Sequence, residues 1–407
     1  MTATLEFGGF ASEVLGLTVD ITDDSRALGL DALAGVALRR NPRRAHLIVS
    51  RVLAKHIPVP GRSATEHGHM LGDAVAPLVR GSGRVVVVGF CETATGLGHL
   101  VAERLEVPYV HTTRDERDGA PVWLRFEEPH SHAPAHLLLQ QAAHLVSEAD
   151  VVVLVDDELS TGTTALNLVE AIDALAPGKR YVLAALLDLR RSDVRAALRD
   201  RAHGVGIELD CVSLVSGTAA VADDAVGRAE PLVAAASLPT GGGDAPGAVD
   251  VLRLQGAPSG RVGALPGEQV ACVARAAWWL RERVTDPSRL LVVGTEEMMF
   301  LPIKIAAQMG CDVQSTSRSP VVVGAFDDTY PIRSGVTFPS CYDQATPAYL
   351  YNGLGEQRDG HRYDDVVVVT DQITADSGVL AGPGGLFSAV AAAGARLFVI
   401  VCGGDGR

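Results

Sequence analysis

The sequence predicts an α/β protein built as two successive parallel-sheet units. Three observations carry that prediction. Short, continuous apolar runs recur along the chain, helical stretches separate them, and one Gly/Pro-dense segment divides two halves of similar texture. Continuous apolar runs mark strands buried on both faces, as parallel sheets require. A length of 407 residues has room for two or three domains, two being the simplest division. The expected boundaries are 1–235, a connection over 236–265, and a second α/β domain over 266–407.

The opening stretch to Asp31 is short and mixed, with a strand-like segment at Leu17–Ile21. ALAGVALRRNPRRAHLIVSRVLAKHIPV then carries a helical pattern, interrupted at Pro42 and ended by Pro58. Val85–Val88, Val151–Val155 and Tyr181–Leu187 read as buried strands. Between them GLGHLVAERL, PAHLLLQQAAHLVSEA and TTALNLVEAIDAL place apolar residues at three- and four-residue spacing, as helices do. Ser237 to Glu268 is dense in Gly and Pro, the texture of an irregular connection. QVACVARAAWWLRERV predicts a further helix, and Leu290–Val293, Val321–Val323, Val366–Val369 and Leu397–Val401 further strands.

Composition narrows the function. Apolar residues make up 47% and charged residues 21%, which excludes a disordered chain. The net charge of −14, from 49 acidic against 35 basic residues, argues against a general nucleic-acid binder. Only Lys55, Lys179 and Lys304 supply side-chain amines. Cys91, Cys211, Cys272, Cys311, Cys341 and Cys402 form no C-x-x-C pair, which disfavours structural zinc and a disulfide framework alike. The start MTATLEFGGF has no signal-peptide pattern and no apolar run approaches 18 residues, so the expectation is a cytoplasmic protein without membrane partners.

The strongest chemical signal is VVVLVDDELSTGTTALN, residues 151–167. A buried strand ends in Asp156 and Asp157, and the turn Ser160-Thr161-Gly162-Thr163-Thr164 opens a helix. Such a turn aims backbone N–H groups and hydroxyls at one point with a helix N-terminus behind them, which makes a phosphate cradle. The adjacent acids repel phosphate but suit vicinal hydroxyls, or a cation, farther along the same ligand. Phosphate plus diol describes a ribose 5-phosphate. The plainer alternative is an ordinary strand-to-helix turn with a Ser or Thr cap.

These residues resemble the signature of the type I phosphoribosyltransferases: an apolar strand, two acids, then a T-G-x-T-like loop. Glu158 departs from it, a third acid where an apolar residue is usual, and is expected to face solvent. The resemblance implies a pyrophosphate-binding loop at Glu92, Thr93, Ala94, Thr95 and Gly96, and a leaving-group cation at Arg114. It places a mobile loop at DERDG, residues 115–119. His130, His132 and His136 follow; His132 and His136 at i,i+4 suit a metal, but substrate contact ranks ahead of zinc. The region around Arg43, Arg44, Ser50, Arg51, Lys55 and His56 is either the charged face of an amphipathic helix or a hood over the acceptor. Lys55, His56, His130 and His132 are thus the acceptor candidates.

With RNPRRAHLIVSRVLAKHIPV, GFCETATGLG, EEPHSHA and VDDELSTG together, the chain is similar to the orotate-phosphoribosyltransferase-like proteins of bacterial tellurite-resistance and stress gene neighbourhoods. These carry a C-terminal domain named for a T-R-S-P motif; here Thr316-Ser317-Arg318-Ser319-Pro320 has the Thr one place early. The resemblance implies Mg²⁺-dependent transfer from phosphoribosyl pyrophosphate to a base-like acceptor, in making a nucleotide-like metabolite. The Mg²⁺ would be held through pyrophosphate and ribose hydroxyls with Asp156 and Asp157 nearby. A rival of another class is a non-catalytic regulator that binds phosphoribosyl pyrophosphate.

The halves also share a weak repeat. VVVVGFCETATGLGHLVAERLEVPYVHTTR lies over LLVVGTEEMMFLPIKIAAQMGCDVQSTSR, matching Gly89 with Gly294 and Arg114 with Arg318; DVVVLVDD over DVVVVTDQ puts Asp156 on Asp371. A degenerate second copy follows, giving an intrachain pseudo-dimer, with a homodimer the other arrangement. Thr316, Ser317, Arg318 and Ser319 are its candidate anion-binding residues. The bland reading is that any two strand–turn–helix units look alike.

Overall fold

The computed structural model describes residues 4–5, 8–41, 44–114, 119–127, 135–242, 247, 249–256, 263–355 and 360–403. Among them, one sheet has eight strands in the order Thr4–Leu5, Thr18–Asp23, Glu208–Ala220, Arg180–Asp188, Val151–Leu159, Val85–Gly89, Tyr109–His111 and Gly263–Ala264. A second has six: Asp250–Leu254, Arg396–Cys402, Asp365–Asp371, Leu290–Gly294, Asp312–Ser315 and Val59–Pro60. Both are parallel at their centres and antiparallel at an edge. The Val-rich runs Val151–Val155 and Val366–Val369 are fully buried, as their lack of alternation requires.

The strand order after Leu290 repeats that after Val85. In each unit the first strand lies between the second and third, and the fourth lies outside the third. Matching backbone bonds fix the equivalence. Thr112 N donates to Gly89 O at 3.0 Å and Thr316 N to Gly294 O at 2.9 Å; Phe90 N donates to Val155 O at 3.0 Å and Thr295 N to Val369 O at 3.1 Å. Each unit also inserts an antiparallel hairpin before its third strand, Val122–Glu127 with Ala135–Leu139 and Gly335–Pro339 with Pro347–Tyr351.

The same bonds correct the repeat by one residue. Val369 corresponds to Val155, so Asp371 falls on Asp157 and Thr370 on Asp156. A one-residue slip reverses which face a side chain occupies, so the difference decides which acid is missing. The second unit has no phosphate loop either. Its helix Gln372–Ser377 starts directly after the strand, and the Asp371 carboxylate accepts from Thr374 N, filling the helix N-terminus with the chain's own anion.

Four further expectations change. The helix expected over PAHLLLQQAAHLVSEA runs only from Gln140 to Ser147, and Ala135–Leu139, with His136, is a strand of a hairpin. The helix over residues 32–58 is instead a hairpin, Ala34–Leu38 paired with His46–Ser50. All five residues of its first strand are buried, and an element buried on both faces gives period counting nothing to read. Val321–Val323 is not a strand; Val321 makes only a bridge to Arg39. The segment 236–265 is not wholly irregular, since Asp250–Leu254 joins the second sheet and Gly263–Ala264 the first. No helix among the described residues is long and apolar enough to cross a membrane.

Candidate functional site

The cleft forms at the carboxyl ends of the first sheet's central strands, where open parallel sheets bind ligands. It encloses about 200 Å³ and gathers Asp156, Asp157, Ser160, Thr161, Gly162, Thr164, Glu92, Thr93 and Arg114. Strand Val151–Leu159 runs past the acids, and Gly162, at φ +79°, turns the chain into helix Thr163–Leu175. A side chain is strained in that conformation, and a Cβ there would also meet Arg190 Nη1 and Leu198 Cδ1 at 3.1 Å. Thr161 Oγ1 accepts from Thr163 N at 3.2 Å, closing the turn on itself.

The facing loop is built around Glu92, a non-glycine residue at φ +68°. Arg114 donates to its Oε1 at 2.6 Å and Arg318 lies 3.4 Å from the same oxygen. Burial pushes the Glu92 carboxyl up, but Arg114, Arg318 and Lys55 outweigh it and hold the pKa at about 2. Thr93 Oγ1 donates to Asp157 Oδ1 at 3.1 Å, joining loop to acid pair. Asp157 N donates to Asp156 Oδ1 at 2.9 Å. Burial and the neighbouring Glu158 charge raise the Asp157 pKa against those hydrogen bonds. Ala94, Thr95 and Gly96 do not join the cleft lining. Thr95 opens helix Thr95–Leu105 and is buried, and a Cβ at Gly96 would meet Ile303 and Met299 of the second unit at 3.0 Å.

The acceptor candidates divide. His56 lines the cleft, buried and held neutral by burial and Lys55, its pKa lowered to about 3. Lys55 instead points into the second unit, donating to Thr316 O at 3.1 Å and Glu296 O at 3.4 Å. His130 and His132 lie outside the described residues, as do residues 115–118 of the expected mobile loop. Of the second-unit candidates, Ser317 and Ser319 line this same cleft, Ser317 Oγ lying 3.5 Å from His56 Nε2. Thr316 is buried and its Oγ1 accepts from Glu296 N at 2.9 Å, while Arg318 packs over the Tyr342 ring at 5.0 Å.

Sequence reasoning singled out Arg44 and His136 but missed Arg39, Leu47, Ile48, Phe90 and Cys91 in the lining, and it misplaced Glu158. Glu158 does not face solvent: it is 15% exposed and Arg44 Nη2 donates to both its oxygens at 3.1 Å. Arg39, Arg44, Leu47 and Ile48 roof the cleft from the hairpin and its turn. Phe90, Cys91 and His136 complete the wall; His136 Nε2 lies 3.0 Å from Arg114 Nη2 and its Nδ1 3.4 Å from Cys91 Sγ. Recognising the hairpin would have exposed Arg39 and fixed the place of Arg44, already a hood candidate, because a roof strand puts its turn over the site.

No group of three or more His, Cys, Asp or Glu suited to a metal occurs among the described residues. The donor set fits a hard cation held chiefly by substrate oxygens and water, with one or two carboxylates beside it, as Mg²⁺ is commonly bound.

Fold and cleft together define a type I phosphoribosyltransferase architecture. Residues 33–218 match a family model described as phosphoribosyl transferase, and residues 259–384 match the TRSP domain that lies C-terminal to that family's domain. The chain belongs to this phosphoribosyl transferase family and carries its TRSP domain. Similar solved structures include the adenine phosphoribosyltransferase of Leishmania donovani (20% identity, 51% of this chain and 84% of that one, TM-score 0.35). The Leishmania tarentolae enzyme gives 19%, 48%, 90% and 0.34 in the same order. The Trypanosoma brucei enzyme, solved with AMP, pyrophosphate and ribose-5-phosphate, gives 15%, 48%, 82% and 0.35. No curated protein matches the chain.

Proposed function

We propose that this protein transfers ribose 5-phosphate from phosphoribosyl pyrophosphate to a base-like acceptor, releasing pyrophosphate, in making a nucleotide-like metabolite. The observation that carries the reading is one cleft uniting the acid pair, the Ser160–Thr164 turn, the Glu92 loop and Arg114. The turn holds the 5-phosphate through backbone N–H groups at the start of helix Thr163–Leu175. Asp156 and Asp157 accept from the ribose hydroxyls. Arg114 and Thr93 stand where the leaving pyrophosphate gathers charge, and stabilising that charge is the main catalytic contribution open to such a site. Asp156 and Asp157 would stand beside a Mg²⁺ held chiefly by substrate oxygens, and the ion would supply further charge neutralisation of pyrophosphate. The roof hairpin and neutral His56 shape the acceptor space.

The test is pyrophosphate release on incubation with phosphoribosyl pyrophosphate, Mg²⁺ and a panel of free bases. Release that depends on one base, and that disappears in an Asp156→Asn/Asp157→Asn double variant with an unchanged melting curve, is the expected result. Tight binding of phosphoribosyl pyrophosphate without release for any base favours a regulator instead. Wild-type release by the double variant means that the ribose hydroxyls are held elsewhere.

A further inference from the structure

At the seam between the two units, equivalent arginines converge on one carboxylate. Arg114 and Arg318 stand at matching positions after Thr112 and Thr316, whose backbone bonds fix the repeat. Arg114 Nη1 donates to Glu92 Oε1 at 2.6 Å, and Arg318 Nη2 lies 3.4 Å from that same oxygen. Their surroundings differ. Arg114 lines the cleft, with its Nη2 3.0 Å from His136 Nε2, whereas Arg318 does not line it. Arg318 is fixed by its own unit instead: its Nε lies 3.4 Å from Glu296 Oε2 and its guanidinium packs over the Tyr342 ring. Glu296 is held in turn, its Oε1 accepting from Ser340 Oγ at 2.7 Å and Cys341 N at 2.9 Å.

An arginine clamped on a carboxylate has its charge already matched. To meet a pyrophosphate oxygen, Arg114 has to loosen its hold on Glu92. The Glu92 side chain is only 22% exposed, and a charge shielded from water is strongly destabilising once its partner leaves. Lys55 is committed elsewhere, donating to Thr316 O and Glu296 O. Arg318 is already within reach of the oxygen that Arg114 would vacate, and it is anchored on the far side by Glu296 and Tyr342.

We propose that Arg318 is a positioning residue: it takes over the Glu92 carboxylate as Arg114 turns to the pyrophosphate, so the second unit governs release of the first unit's leaving-group cation. The inference rests on the transfer reading, in which pyrophosphate is the anion that Arg114 meets. Calorimetric titration of the full chain with Mg²⁺-pyrophosphate and, separately, with ribose 5-phosphate tests it. Arg318→Gln should weaken pyrophosphate binding about tenfold, because apparent affinity falls with the fraction of chains in which Arg114 is released. Its ribose 5-phosphate affinity should match wild type, which a general loosening of the fold would not allow. Glu92→Gln removes the anion that holds Arg114, so it should bind pyrophosphate at least as tightly as wild type. Adding Arg318→Gln to that variant should then change little. Three results overturn the inference and leave the transfer reading standing: pyrophosphate binding undiminished by Arg318→Gln, both ligands weakened together, or pyrophosphate binding weakened by Glu92→Gln. An equal effect of Arg318→Gln with and without Glu92 overturns it too. No pyrophosphate binding by the wild-type chain would instead remove the transfer reading, and this inference with it.

Discussion

Glu92 concentrates the electrostatics of the molecule in one side chain. It holds a left-handed backbone conformation, pairs with Arg114 of its own unit and reaches Arg318 of the other. Its pKa falls from 4.5 to about 2, and an acid depressed in the folded state stabilises that state above its unfolded pKa. The contribution is lost as pH falls from about 4.5 through 2, and the shift corresponds to about 3 kcal/mol. Acid titration monitored by circular dichroism should therefore show Glu92→Gln less stable than wild type at pH 7, with the gap closing towards pH 2. A gap that stays constant with pH would sink this account. Gly162 is the second residue with an outsized role. Valine there must adopt φ near +79° and crowd Leu198, and phosphoribosyl pyrophosphate affinity should drop at least tenfold, with two hydrogen bonds to a charged group at stake. Unchanged affinity by calorimetry in a folded variant removes the phosphate assignment.

Among the elements, the roof hairpin covers the cleft with Arg39, Arg44, Leu47 and Ile48. Arg44 in the hairpin's turn clamps Glu158 in the strand below, so roof and floor are tied by an ion pair that is only partly exposed. If the roof shapes acceptor space as proposed, Arg44→Ala should raise the acceptor KM several-fold while leaving phosphoribosyl pyrophosphate affinity unchanged, because the pair ties the roof down over the cleft. Equal losses for both substrates in steady-state kinetics would make the pair a general folding contact. This hairpin also marks where the sequence stopped being legible. The strand–acid–turn–helix order around Asp156 could be read directly, because a buried strand and a Gly-bearing turn each leave a local signature. The hairpin could not: Ala34–Leu38 is buried on both faces, so its continuous apolar run shows no alternation to mark a strand. Arg44 and Glu158 are 114 residues apart, so no local pattern links them. The match of Asp156 with Asp371 failed for a related reason. Val-rich strands look the same when slid by one residue, and only the cross-strand bonds to Gly89 and Gly294 fix the register.

The whole chain behaves as a dimer folded from one polypeptide. Val59–Pro60 of the first unit edges the second sheet, and Gly263–Ala264 from the second edges the first, a reciprocal exchange that neither unit completes alone. One apolar cluster contains Ala54, Val59, Ala64 and Leu100 from the first unit with Met299, Ile303, Ile305 and Ala306 from the second. Ser317 and Ser319 reach the first unit's cleft, and Lys55 is buried against Thr316, so separating the units would open both core and site. Two domains joined only by a linker unfold independently; two that share strands and a core unfold together. Differential scanning calorimetry of the full chain should accordingly give one cooperative transition. Leu100→Ala, which removes a shared core side chain, should lower that transition as a whole, by the ~2–5 kcal/mol typical of such truncations. Two resolved transitions, with only the first-unit one shifted by Leu100→Ala, would mean that the seam is a contact between independent domains.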